Sequence, residues 1–140
     1  MAFRPRFEAG SIAPMGEGTQ HEGQDEWRAA RVYNRRRQAR RRAEREAERQ
    51  HWLERAREAI LRVATAHPGV RRVYLYGSLV QPGRFRADSD IDVAVACDSL
   101  ESETPFWRDL ERALGRDVDL RPLTGPIEEA ATTTGEQVYG

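Results

Sequence analysis

Two aspartates separated by one residue, Asp90 and Asp92 in "DSDIDVAV", are the pair in this chain most suited to chemistry. In a strand, side chains at i and i+2 share a face, so these carboxylates project together while Ile91, Val93 and Val95 point the other way. Two carboxylates so close repel each other unless a cation lies between them. Hard oxygen ligands on a rigid strand suit Mg²⁺, which takes one or two carboxylates and completes its shell with substrate phosphates. Upstream, in "YLYGSLV", Gly77 ends an apolar alternation and Ser78 opens a turn, where free N–H groups and a hydroxyl can hold an anion. Downstream, "DVDLRPL" offers a third acid, Asp117 or Asp119, on one face of another strand. Two acids from one strand and one from its neighbour can hold two metal ions, an arrangement that stabilises the attacking and leaving oxygens in phosphoryl or nucleotidyl transfer.

The order "YGS…SDIDVAV…DVDLRPL" resembles the minimal nucleotidyltransferase (MNT) domain of the polymerase-β-like nucleotidyltransferase superfamily, over about residues 50–140. The resemblance implies that Gly77 and Ser78 hold the nucleotide triphosphate, that Asp90 and Asp92 bind the catalytic metal, and that Asp119 is the third carboxylate, which helps activate the acceptor hydroxyl. It implies Mg²⁺ as cofactor, ATP as substrate, and transfer of AMP to a hydroxyl. Such domains are often encoded beside a HEPN-domain ribonuclease toxin and neutralise it by adenylylating a tyrosine, so an antitoxin role and a HEPN toxin partner are expected. Two other readings fit the same motif: a module that neutralises its partner by occlusion without catalysis, and an aminoglycoside-type small-molecule nucleotidyltransferase. The chain departs from the family in one place. Eleven residues, Leu79 to Ser89, separate the serine from the first aspartate, one more than is usual, and the extra residue falls at Gln81 or Pro82.

Elements to position these groups can be read around them. "VRRVYLYG" (70–77), "DIDVAVA" (90–96) and "DVDLRPL" (117–123) alternate as strands, and "EQVY" reads as an edge strand. Between the second and third strands, Thr104 as N-cap, Pro105 in the first turn and Gly115 as stop bound a helix whose Phe106, Trp107, Leu110, Ala113 and Leu114 form a core face. "PIEEAATTT" suggests a short further helix. From Asp25 to Ala66 there is neither Pro nor Gly, which predicts one long helix. Its second half carries an apolar stripe, Leu53, Ala56, Ile60, Val63 and Ala64, flanked by Trp52 and Leu61. The expected fold is therefore α+β: a small mixed sheet with packed helices, preceded by a long Arg-rich helix. The expected organisation is a disordered tail over 1–24, a basic helical extension over 25–49, and the nucleotidyltransferase domain over 50–140.

The 140 residues leave room for one modest core and no second catalytic domain. No apolar run approaches the ~20 residues a membrane span needs, and no signal sequence is evident. One cysteine, Cys97, permits no internal disulfide, so a cytoplasmic location is expected. All 23 basic residues are arginine against 23 acids, yet the halves differ: residues 1–62 hold 15 Arg and 10 acids, residues 63–140 hold 8 Arg and 13 acids. Eight arginines and no acid lie between Arg28 and Arg42. Such a segment serves partner recognition, an acidic protein being favoured over nucleic acid, or else is simply solvated. His21, His51 and His67 have no second ligand at metal spacing and receive no role.

Overall fold

The structure, a computed structural model, describes the backbone of residues 8–140 and the side chains of residues 22–140. Three helices and four strands follow in the order α1 (Glu8–Thr65), β1 (Val70–Tyr76), β2 (Ile91–Cys97), α2 (Glu103–Leu114), β3 (Val118–Pro122), α3 (Gly125–Thr134) and β4 (Glu136–Tyr139), with short 3-10 turns at Gly77–Val80 and Leu100–Ser102. By internal contacts the chain forms two units, Met1–Arg41 and Arg42–Gly140.

In the first unit every described side chain from Glu22 to Arg41 is exposed, including Trp27 and Tyr33, and the Arg31 guanidinium lies 4.8 Å over the Trp27 ring. The first seven residues of the tail expected over 1–24 lie outside the described residues, and from Glu8 the backbone is helical. Pro14 and the glycines at 10, 16, 18 and 23 make residues 8–24 the stretch of α1 with the weakest intrinsic preference for helix.

In the second unit, the stripe read from α1 is the core. Leu53, Ala56, Ile60, Val63 and Ala64 are all buried, against Val73 and Leu75 of β1, Ile91, Val93 and Val95 of β2, and Phe106, Leu110 and Leu114 of α2. Leu61, off that face, is exposed. The four strands form one mixed sheet in the order β3-β2-β1-β4. β1 is antiparallel to β2 and to β4, and β2 is parallel to β3 across the α2 crossover. A smaller cluster, Tyr74, Ala94, Leu123 and Ala131 with Tyr76 and Ile127 beside it, packs α3 on the opposite sheet face. The Arg57 guanidinium ties α1 to β4 through two bonds to Glu136, at 2.6 and 2.7 Å.

Two local expectations are corrected. Thr104 is not the N-cap of α2. The 3-10 turn at Leu100–Ser102 leaves Ser102 in a helical conformation (φ −78°, ψ −20°), so the helix starts at Glu103 and Thr104 lies inside its first turn. Trp107 is not core: it is 40% exposed, and its indole N–H donates to the Val118 carbonyl at 2.8 Å. Glu111 accepts from the Val118 N–H at 2.9 Å, so two α2 side chains satisfy the backbone at the start of edge strand β3. Gly115 does end α2, in the left-handed region at φ 63°, with its N–H on the Glu111 carbonyl.

Candidate active site

Strand register puts two of the expected residues, Asp92 and Asp119, in one row with a third that the sequence did not single out, Tyr76. Tyr76 of β1 pairs with Asp92 of β2, and Asp92 pairs with Asp119 of β3. Paired residues on neighbouring strands share a face with Cβ atoms ~5 Å apart, so the two carboxylates are lateral neighbours, with the Tyr76 phenol beyond Asp92. Because Ile91 and Val93 point into the α1–α2 core, this row lies on the α3 face, toward the open end of the sheet.

The row is electrostatically strained. Burial, reinforced by the neighbouring Asp119 and Asp90 carboxylates, pushes Asp92 up from 3.8 to about 6, Arg121 offsetting part of the effect. Burial, with the Asp92 and Asp119 carboxylates, raises the Tyr76 phenol. Arg121, two residues beyond Asp119 on the same face, donates to its Oδ1 at 2.9 Å. Arg121 is a residue that sequence reasoning passed over, although "DLR" carried the i, i+2 signal.

Gly77 follows Tyr76 at φ +77°, a conformation L side chains rarely adopt, and a Cβ there would collide with the Asp92 carboxylate. The turn at Gly77–Val80 thus brings backbone against the acids, and the N–H groups that open such a turn have no partner within it. The Ser78 hydroxyl forms no hydrogen bond among the described residues. Asp90, one position ahead of β2, is exposed, and with Asp88, Asp117 and Arg116 it lines an open depression of about 320 Å³. Asp117 is exposed as well, while its carbonyl accepts from the Ile91 N–H at 3.1 Å, extending the β2–β3 pairing backwards.

Among the described residues no three acid, histidine or cysteine side chains converge as a ready-made metal centre. The donor set nevertheless suits a divalent ion that takes its remaining ligands from phosphate, because Asp92 is half-buried among like charges that a cation would neutralise. His67 is structural, its Nε2 lying 2.8 Å from Asp109 Oδ2.

The loop from the serine to Asp90 is pinned at both ends by arginines that sequence reasoning did not single out. Arg49 of α1, 5% exposed, is held by Glu46 at 2.9 and 2.6 Å and donates to the Leu79 carbonyl at 2.9 Å. The contact with Arg49, together with Gln50, holds the Glu46 carboxyl down at about 2. Arg116, between α2 and β3, grips the backbone just ahead of Asp90. Leu79 and Phe85 are buried, and Pro82, Gly83 and Arg84 between them are exposed. The extra residue at Gln81 or Pro82 therefore falls between two anchors and lengthens an exposed turn.

Residues 58–140 match the model of the "Polymerase beta, Nucleotidyltransferase" family. The chain belongs to that family. Solved structures agree. A mutant of the toxin–antitoxin MntA–HpeT is 26% identical, over 60% of this chain and 73% of that one, with a TM-score of 0.51. A toxin–antitoxin structure with AMP-PNP is 28% identical over the same shares, also at 0.51. A structure described as a minimal nucleotidyltransferase is 30% identical over 59% of this chain and 89% of that one, at 0.50. No curated protein sequence matches the chain significantly. No helix among the described residues is long and apolar enough to cross a membrane.

Proposed function

We propose that this nucleotidyltransferase moves AMP from ATP to a hydroxyl of a HEPN-type toxin, a tyrosine, and acts as its antitoxin. The observation that carries the reading is the row Tyr76–Asp92–Asp119 across three strands, with the Gly77–Ser78 turn pressed against Asp92. In this reading Gly77 and Ser78 hold the triphosphate, and Asp90, Asp92 and Asp119 hold Mg²⁺. When bound, Mg²⁺ supplies charge neutralisation at the phosphates and orients them. The acceptor oxygen forms a bond to the α-phosphorus, the bond from that phosphorus to the bridging oxygen breaks, pyrophosphate leaves, and the hydroxyl proton passes to Asp119. The toxin–antitoxin relatives support the role, and the relative crystallised with AMP-PNP supports an adenine nucleotide as substrate.

The test is transfer of labelled AMP from Mg·ATP to the purified toxin. Asp90→Asn and Asp92→Asn preserve shape and remove charge, so both should fold and lose transfer by orders of magnitude. Wild-type rates in both variants would remove the metal assignment. Failure of the unmodified protein to bind Mg·ATP in calorimetry would leave occlusion as the better reading.

A further inference from the structure

Arg116 bonds no carboxylate among the described residues, yet its Nε and one terminal nitrogen are both engaged by backbone carbonyls. Its Nε donates to the Ser89 carbonyl at 3.0 Å, and one terminal nitrogen reaches the carbonyls of Ser89 at 2.7 Å, Ala87 at 2.8 Å and Arg86 at 3.1 Å. The Trp52 ring and the Phe85 ring each lie 4.7 Å from the same guanidinium carbon. A planar cation is thus held by two aromatic rings from different parts of the chain and aimed at three backbone oxygens. All three oxygens fall within the four residues before Asp90. The Ser89 carbonyl, which takes two of the four bonds, belongs to the peptide unit that joins Ser89 to Asp90, so fixing it restricts the backbone from which the Asp90 carboxylate projects.

Arg116 also stands three residues before Asp119. Together with the bond from the Ile91 N–H to the Asp117 carbonyl, it sets the spacing at which β2 and β3 begin, and hence the distance between the acids of the two strands. Because carbonyl dipoles leave its charge uncancelled, the cation also lends positive potential to the depression it shares with Asp88, Asp90 and Asp117.

We propose that Arg116 is a positioning residue of the transfer site: its grip on the Arg86–Ser89 carbonyls presents Asp90 to the metal. The inference rests on the reading of Asp90 as a metal ligand. Lysine cannot substitute, because an ammonium does not spread its donors as a planar fork over several carbonyls while resting beside two rings. Loss of the grip leaves the Asp90 carboxylate in place on the chain but free to move. The defect should therefore appear in metal affinity and should yield to excess metal.

The experiment measures Mn²⁺ binding by electron paramagnetic resonance, on the full chain saturated with α,β-methylene-ATP, for the wild type and for Arg116→Lys, Arg116→Gln and Asp90→Asn. AMP transfer is followed in parallel across Mn²⁺ concentrations. In both Arg116 variants the Mn²⁺ concentration for half-saturation should rise about 10- to 100-fold, the range typical for groups that support a metal ligand. Transfer should return toward the wild-type rate at saturating Mn²⁺. In Asp90→Asn excess Mn²⁺ should not restore transfer. An unchanged midpoint in Arg116→Lys, with Asp90→Asn defective, overturns the role of Arg116 alone. Unchanged Mn²⁺ binding in Asp90→Asn overturns the metal assignment itself. A raised midpoint with a transfer rate that stays low at saturating Mn²⁺ also overturns the proposal, since a positioning role is rescued by mass action. If Arg116→Gln does not fold, Arg116→Lys, which keeps charge and stem, decides.

Discussion

Asp92 is held among acids in a half-buried position, and in the absence of metal that arrangement costs stability. An acid whose folded-state value is raised keeps its proton longer when folded. Its contribution is therefore fully present below 3.8 and is lost as pH rises through about 6. Asp92→Asn should accordingly melt higher than the wild type in chelator at pH 7.5, by roughly 1 kcal/mol once solvent screening of a half-exposed group is allowed for. Thermal unfolding by circular dichroism checks this, and a variant that melts lower would mean that the carboxylate is already compensated. With Asp119 as the proposed base, binding and turnover should separate. Asp119→Asn should retain much of its Mg·ATP affinity and lose transfer, because a base acts on the incoming hydroxyl. The reverse pattern, with Asp117→Asn inactive and Asp119→Asn silent, would transfer the role to Asp117. At Gly77, alanine faces both an unfavourable φ and the Asp92 carboxylate, so Gly77→Ala should weaken nucleotide binding even where the fold survives.

At the scale of elements, the strands and the α1 stripe were legible because alternation and helical spacing report burial directly. Leu53, Ala56, Ile60, Val63 and Ala64 needed only periodicity to be found. Thr104 misled because a cap is chosen by the conformation of the preceding residue, which here a 3-10 turn had already made helical. Trp107 misled because an indole at the rim of a helix face can trade burial for a bond to a strand edge. Spacing singled out Asp90 and Asp92, and the family resemblance chose Asp119 over Asp117, whereas Arg49 and Arg116 carried no such signal: their partners are backbone carbonyls 30 and 27 to 30 residues away, and a carbonyl has no signature in a sequence. The loop between these anchors gives a direct test. Deleting Gln81 should leave Mg·ATP affinity within a few-fold of the wild type, because loop length there is absorbed between buried Leu79 and Phe85. A loss of binding would show that the longer turn itself forms part of the nucleotide site. The α1–β4 clamp has its own pH signature. Arg57 holds the Glu136 carboxyl below 4.5, so this contribution is present above 4.5 and lost as pH falls below it. Glu136→Gln should remove about 1 kcal/mol at pH 7 and much less at pH 3.

For the whole molecule, the division at Arg41/Arg42 separates a basic helical unit from the unit that carries the acids. A chain beginning at Arg42 should keep its fold and its Mg·ATP affinity, yet bind the toxin more weakly and with a shallower salt dependence. Beginning instead at Gln50 would remove Arg49 and its bond to the Leu79 carbonyl, confusing loss of partner binding with loosening of the loop after Ser78. If the Arg42 truncation loses nucleotide affinity while toxin binding is untouched, the basic segment belongs to the active site. The single helix α1 runs through both units, and this has a consequence in time. Every described side chain of α1 before Glu46 is exposed, so opening of the hydrogen-bond ladder from that side is opposed by helix propensity and local surface contacts and not by a packed core. Backbone amides from Glu22 to Arg41 should exchange with deuterium in seconds to minutes, and protection should rise within about one turn of Arg49, the first buried side chain among those described in the helix. Each excursion of the fraying front past that turn lets go of the Leu79 carbonyl, so the lifetime of the last turns before Arg49 sets how often the loop after Ser78 is released. A toxin that clamps the basic segment would slow that clock without touching the nucleotide.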